Sequence, residues 1–279
     1  MANDKISLYC VPTPIGNLSD MSQRCIDVLK SVDFIAAEDT RKSGIMLKLF
    51  DIKKPMVSYF EHNKKERGEI IVARLLNGET CALITDAGMP AISDPGEDLV
   101  KQCIEKGLKV SALPGPSAVI TALAMSGLST GRFTFEGFLS TAKNSRNEHL
   151  SSLENEMRTM IFYEAPHHLI GTLEDMKKHF GGERKISLVR EISKIYEETR
   201  LTTIDDAILF YSETQPRGEF VLVVEGKPQC KEMDITDSDI DTFFNDLLSE
   251  GKTKSEAAKL TAKQFCLRKN DVYDRFKQE

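Results

Sequence analysis

What this sequence lacks narrows the field before any motif is read. No apolar run approaches the roughly 18 residues that a membrane-spanning helix needs. The N-terminus, Met1-Ala2-Asn3-Asp4-Lys5, leads straight into an apolar strand without the tripartite form of a signal peptide. A cytoplasmic protein with no membrane partner is the expectation. The six cysteines (Cys10, Cys25, Cys81, Cys103, Cys230, Cys266) are scattered with no C-x-x-C pair, and the five histidines show no H-E-x-x-H spacing. Neither a disulfide framework nor a metal site is expected, and the cysteines read as small apolar core residues. Excess positive charge is missing too: the net charge of −6 argues against a surface coated for nucleic acid. The charge is uneven, however. Residues 230–250 carry one Lys against seven Asp/Glu, whereas residues 251–279 carry eight Lys/Arg against four acids. Such a basic tail is either a solvated helical face or a local contact for a polyanion.

With 279 residues, 41% of them hydrophobic, the chain can build two ordinary domains with real cores. Short apolar strands are expected over 6–11, 33–37, 56–59, 81–85 and 108–113. Helices are expected between them over 22–31, 40–50, 64–76 and 97–105, with a fifth over 117–125. This alternation implies an α/β unit over 1–126 with a mostly parallel sheet covered on both faces. The small, polar, glycine-bearing stretch 126–131 reads as a boundary. A second α/β unit over 132–228 has expected strands at 133–138, 159–164, 186–190 and 219–225. Its helices are expected over 143–156, 167–179 and 204–211, and a mixed sheet suits its short connections. A small helical unit follows over 234–279, with the capping box Thr253-x-x-Glu256 opening its second helix.

The richest stretch is CALITDAGMPAISDPG, 81–96. A continuous apolar run stops at Asp86, and neither helix nor strand can run through the glycines and prolines that follow. The product is a stiff loop at the carboxyl end of a buried strand, where open α/β sheets bind ligands. Loops 12–18 and 114–117 follow two other strands of the same unit, so all three should converge on one cleft. None of the three fits the dinucleotide or P-loop pattern. Ser117 and open backbone N–H groups at a helix start favour a carboxylate or phosphate. Asp86 reads as a carboxylate lining the cleft, and Asp94 as a cap on the next helix. In the second unit Glu164 and Glu191 end buried strands, and His167 follows one of them.

Taken together the motifs resemble one family. They are V-P-T-P-I-G-N-L at 11–18, A-A-E-D-T-R at 36–41, D-A-G-M-P-A-I-S-D-P-G at 86–96 and L-P-G-P-S-A at 113–118. To these add F-E-G-F-L at 135–139, I-F-Y-E-A-P-H at 161–167, R-E at 190–191 and G-E-F-V at 218–221. The chain resembles the bacterial ribosomal RNA small subunit methyltransferase I family, 16S rRNA (cytidine-2′-O)-methyltransferases of the tetrapyrrole methylase superfamily, over its whole length. The resemblance implies two α/β domains of that type, a homodimer, and S-adenosylmethionine in the cleft between the domains. It implies 2′-O-methylation of a cytidine, position 1402 in the usual rRNA numbering, in the small ribosomal subunit. Carried over by position, the cofactor pocket should include Pro14, Asp86, Met89, Ser117, Ala118 and Tyr163. The chain departs from the family at Ser140, often a proline, and at His168, often an arginine.

Transfer to a ribose hydroxyl profits from a group that takes the proton, and Glu38, Asp39, Glu164 and His167 are the candidates. RNA contacts are expected from Lys143, Arg146, Arg190, Lys194 and Arg217, and from Lys263 and Lys269 in the tail. The competing class is a precorrin-type tetrapyrrole methyltransferase of the same fold; the tail and the P-T-P-I-G-N-L loop favour the RNA family.

Overall fold

The computed structural model describes residues 5–228, 236–265 and 269–276, with the backbone alone at 263, 269 and 270. The run Cys81–Ile84 is buried at every position, as is Phe34–Ala37 beside it. Strands this apolar must be covered on both faces. Five strands, Leu8–Cys10 (β1), Phe34–Ala37 (β2), Met56–Ser58 (β3), Cys81–Ile84 (β4) and Val110–Ala112 (β5), form a wholly parallel sheet of order β3-β2-β4-β1-β5. Helices Gln23–Ser31 (α1), Thr40–Leu49 (α2), Lys64–Leu76 (α3) and Gly96–Glu105 (α4) connect them. One apolar core gathers Phe34, Tyr59, Ile71 and Leu99, and a second gathers Leu29, Ile35, Leu47 and Ile84. The neighbours Phe34 and Ile35 thus enter different cores, as alternating strand residues do. Ser22 caps α1 as its sequence predicts, its hydroxyl accepting from the Cys25 amide at 3.2 Å. The strand order sets the carboxyl ends of β2, β4, β1 and β5 in a row, so the loops leaving them emerge side by side.

Helix Ala118–Met125 (α5) ends this series. Strands Phe133–Phe138 (β6), Thr159–Glu164 (β7), Lys185–Arg190 (β8), Glu198–Thr203 (β9) and Phe220–Val224 (β10) then form a second sheet of order β6-β7-β10-β8-β9. Only β6 and β7 run parallel in it, so the expected mixed sheet is present. Helices Lys143–Ser152 (α6), Leu169–Phe180 (α7) and Ile204–Glu213 (α8) cover one face. The other face packs on α5, where Val119, Ala122 and Leu123 meet Ile161, Val189, Val221 and Val223. Both sheets therefore belong to one compact unit, Met1–Lys227.

Strand β9 is absent from the sequence reading, which passes from 186–190 directly to the helix at 204. Its sequence ETRLTT lies at a sheet edge, and its one large apolar residue, Leu201, is half exposed. Without an apolar face there is no alternation to read. Helix α6 also stops earlier than the expected 156, at Ser152.

From Pro228 on the chain forms a second compact unit. Its described helices are Asp237–Ser249 (α9), Lys254–Phe265 (α10) and Lys269–Arg275 (α11). They enclose Ile240, Phe244, Ala257, Ala258 and Val272, and the Phe244 and Phe276 rings stack with centroids 3.9 Å apart. The expected capping box is present, with Thr253 N donating to Glu256 Oε2 at 3.0 Å and Glu256 N to Thr253 Oγ1 at 3.3 Å. A second box joins Thr236 and Asp239. Asp234, the expected start of this unit, lies outside the described residues, as do Cys230 and Cys266. Among the described residues no helix is long and apolar enough to cross a membrane.

Candidate active site

Loops 12–18 and 86–96 are stitched together by a bridge in which Thr13 and Gly88 exchange backbone hydrogen bonds of 2.9 and 3.0 Å. The Thr13 hydroxyl adds a bond to the Thr85 carbonyl at 3.1 Å. Gly88 sits at φ 86°, and a Cβ there would lie 3.3 Å from Ile15 Cγ2. A side chain at this position would therefore be both strained and crowded. The third loop closes against the first, since a Cβ at Gly115 would collide with the Pro12 ring. The three loops do converge, and they wall one side of a cavity of about 610 Å³. The ends of β6, β7 and β10 and the connector after β8 form the other side, through Phe138, Tyr163, Ile192, Lys194 and Val221.

Of the residues expected to hold a cofactor, Asp86, Met89, Ser117, Ala118 and Tyr163 line this cavity. Pro14 does not. Asp86 Oδ2 accepts from Lys42 Nζ at 2.7 Å and Oδ1 from the Asp39 amide at 3.2 Å. Ser117 occupies the N-cap of α5 but makes no capping bond with its side chain, which leaves the hydroxyl for the cavity. Burial pushes the Tyr163 phenol up, and a hydrogen bond with the Val119 backbone pulls it partly back. Its ring packs edge-on against Phe135 at 5.0 Å and tilted against Phe138 at 5.3 Å.

The proton-accepting candidates separate. Glu38 and Glu164 line the cavity, whereas Asp39 and His167 do not. Glu38 Oε2 accepts from Thr85 Oγ1 at 2.7 Å. Glu164 is buried with both oxygens engaged, Oε2 by Thr172 Oγ1 at 2.5 Å and Oε1 by the Ala165 amide at 2.8 Å. That carboxylate braces the turn from β7 into α7. Asp39 caps α2, accepting from the Arg41 amide at 2.9 Å. Its hydrogen bonds with the Arg41 side chain and backbone bring its pKa down to about 2. A group so acidic is a poor proton acceptor near neutrality. His167 is exposed, its ring 4.0 Å from that of His168.

Several lining residues escape the sequence reading. Asp94, expected only to cap, accepts from the amides of Ala91 (3.0 Å), Ile92 (3.2 Å) and Gly96 (2.7 Å), and its side of the loop faces the cavity. Lys194, expected as an RNA contact, lines the cavity and bridges Glu191 and Glu219 at 2.8 Å each. Glu191 and Ser193 flank this connector at φ 52° and 62°. A glycine would have flagged such backbone, but these residues give no sequence signal. Among the other expected RNA contacts, Arg146 is tied to the buried Asp175 and Arg190 to Glu198, while Lys143 and Arg217 are exposed. The side chains of Lys263 and Lys269 lie outside the described residues.

Comparison with known proteins places this geometry. Residues 7–208 match the family model of the tetrapyrrole (corrin/porphyrin) methylases. The solved uroporphyrin-III C-methyltransferase of Thermus thermophilus shares the fold with a TM-score of 0.56 at 18% identity, over 78% of this chain and 94% of that one. A diphthine synthase does so with a TM-score of 0.59 at 13% identity, over 79% and 90%. The class is thus a methylase of the tetrapyrrole type, with two α/β sheets around one cavity. Named relatives go further. Ribosomal RNA small subunit methyltransferase I of Synechocystis sp. is 42% identical over 95% of each chain. That of Bacillus subtilis is 44% identical over 96% of this chain and 93% of its own. The chain belongs to the ribosomal RNA small subunit methyltransferase I family.

Proposed function

We propose that this protein transfers a methyl group from S-adenosylmethionine to the ribose 2′-oxygen of a cytidine in the 16S rRNA of the small ribosomal subunit. The observation that carries this reading is identity above 40% along nearly the whole chain with relatives named for that RNA. The cavity suits the cofactor. Its volume of about 610 Å³ falls among small-molecule sites, about 300–1,000 Å³. It combines apolar side chains with the carboxylates of Glu38, Asp86, Asp94 and Glu164, a hydroxyl at a helix N-terminus, and a close approach of two loops at Gly88. Asp86 would take the ribose hydroxyls or the cationic end of the cofactor. Ser117 and the start of α5 would take its carboxylate. Met89, Ala118 and Tyr163 would pack its apolar parts.

When bound, S-adenosylmethionine supplies an electrophilic methyl group. The protein's part is to hold the acceptor hydroxyl in line, exclude water and receive the proton. Glu38 is the acceptor we favour, because it alone among the four candidates combines a place in the cavity with a carboxylate not saturated by capping or bracing bonds. Single-turnover methylation of small ribosomal subunits, with cofactor binding measured separately by calorimetry, tests this. Glu38→Gln should slow transfer by about 10²- to 10⁴-fold with cofactor affinity kept. Glu164→Gln and Asp39→Asn should act through stability, and His167→Ala should be silent. A fully active Glu38→Gln variant removes the assignment. Methylation of a porphyrinogen and not of the subunit would replace the RNA reading with the tetrapyrrole one. We further read the protein as a cytoplasmic homodimer, because two basic tails would grip a ribosomal surface that a single acidic chain would not. Sedimentation of the full chain checks that state.

A further inference from the structure

Strict alternation along β6 would send Phe138 away from the cavity. Phe135 pairs with Ile161, which faces α5 and the cavity side, so three residues later the side chain should lie on the opposite face with Phe162. A bulge changes this. Between Phe135 and Gly137 the strand takes two steps against one on β7, so Gly137 pairs with Phe162 and Phe138 with Tyr163. Gly137 takes φ 66°, a left-handed conformation. Glu136 turns to the far side and meets His149 at 3.0 Å. The bulge thus returns Phe138 to the cavity mouth, where it stays 60% exposed. Bulges that re-aim one side chain are frequent beside active sites.

Ile92, 47% exposed, also lines the cavity. It is flanked by two left-handed non-glycine residues, Ala91 at φ 68° and Ser93 at φ 66°. The three amides held by Asp94 keep this turn in place. The two devices touch, since a Cβ on Gly137 would lie 3.5 Å from Ser93 Oγ. Two sheets therefore each use an irregular backbone to hold one apolar side chain at the same rim. Neither joins a core, whereas Ile192 and Val221 further along the cavity wall are buried.

The geometry points to Phe138, backed by Ile92, as the stacking platform for the base of the nucleotide being methylated. This rests on the reading of the cavity as an RNA methylation site. A ring with an aliphatic side chain beside it fits a flat, unpaired heterocycle better than a phosphate. An acceptor far larger than the cavity must present its nucleotide from the mouth, where these residues are. Unpaired bases are commonly held on aromatic side chains in this way.

The test compares Phe138→Ala, Phe138→Leu and Phe138→Tyr in the full-length protein, using small ribosomal subunits, S-adenosylmethionine calorimetry, thermal melting and sedimentation. Phe138→Ala should lower kcat/KM for the subunit by about 5- to 150-fold, the loss expected for one base–aromatic stack. Cofactor affinity, melting temperature and oligomeric state should not change. Phe138→Tyr should keep wild-type kcat/KM, and Phe138→Leu, apolar but not flat, should lose it as Ala does. Full activity of Phe138→Leu overturns the inference. Weakened cofactor binding by Phe138→Ala reassigns the ring to the methyl donor, and a changed oligomeric state reassigns it to a second copy of the chain; either overturns it. A wild-type protein that leaves the subunit unmethylated overturns the RNA reading itself, an outcome separate from any variant's behaviour.

Discussion

Asp86 answers to two partners at once. Lys42 reaches its Oδ2 from α2, and that lysine is 69% exposed, so the pair adds little to stability. The carboxylate is better explained by what it offers the cavity. Asp86→Ala should weaken S-adenosylmethionine binding by about 10- to 100-fold, as loss of a charged hydrogen bond does, while the melting temperature barely moves. Isothermal calorimetry decides, and unchanged affinity would sink the assignment. Asp175 presents the opposite case. It is buried, with Lys178 at 2.6 Å and Arg146 at 2.8 Å. Burial alone would raise its pKa, but the bonds to Lys178 and Arg146 outweigh burial and hold it below the usual carboxylate value. A carboxyl lowered on folding stabilises above its unfolded pKa, and that contribution fades as pH falls through the folded value. Asp175→Asn should therefore cost about 1–3 kcal/mol at pH 7. The deficit should shrink once the pH drops below about 4, the ordinary aspartate value. Urea melts at neutral and acidic pH would show it, and a deficit that stays constant would refute it.

At the scale of elements, the glycine in the Thr13–Gly88 bridge is the most exposed to test. Gly88→Ala places a side chain at φ 86° against Ile15. It should destabilise by about 1–3 kcal/mol, the cost of forced left-handed backbone, and lower cofactor affinity because it shifts two loops together. Denaturant unfolding and calorimetry measure the two effects. This convergence was legible in the sequence, because parallel strands deliver their following loops to one edge and Pro and Gly mark those loops. The caps at Ser22 and Thr253 were legible for the same local reason. What stayed hidden was set by backbone irregularity in ordinary residues. The bulge before Gly137 inverts the side on which Phe138 lies, and Glu191 and Ser193 adopt left-handed backbone that their side chains do not announce. Edge strand β9 carries no apolar face to betray it. The placement of Pro14, Asp39 and His167 outside the lining has a similar origin: adjacency in a motif does not say which neighbour turns inward.

For the whole molecule, the described cysteines give a direct check on packing. Cys10, Cys25, Cys81 and Cys103 are all buried. Burial pushes the Cys10 thiol up to about 11 and that of Cys103 to about 12, and it raises Cys81 as well. All four should resist alkylation at neutral pH in the native protein and react once it is unfolded, as mass spectrometry of the labelled peptides would read. All cavity-lining residues fall within Met1–Lys227, so a chain ending at Lys227 should still bind S-adenosylmethionine. The position of α5 carries the last consequence. It closes the βα series of the first sheet, yet its Val119, Ala122 and Leu123 supply the core of the second. The second sheet cannot keep this face covered without a helix anchored by β5 of the first, so the unit should melt as one cooperative block, with calorimetric and van't Hoff enthalpies equal. A methyl donor held by the loops of one sheet would then raise the melting point of both.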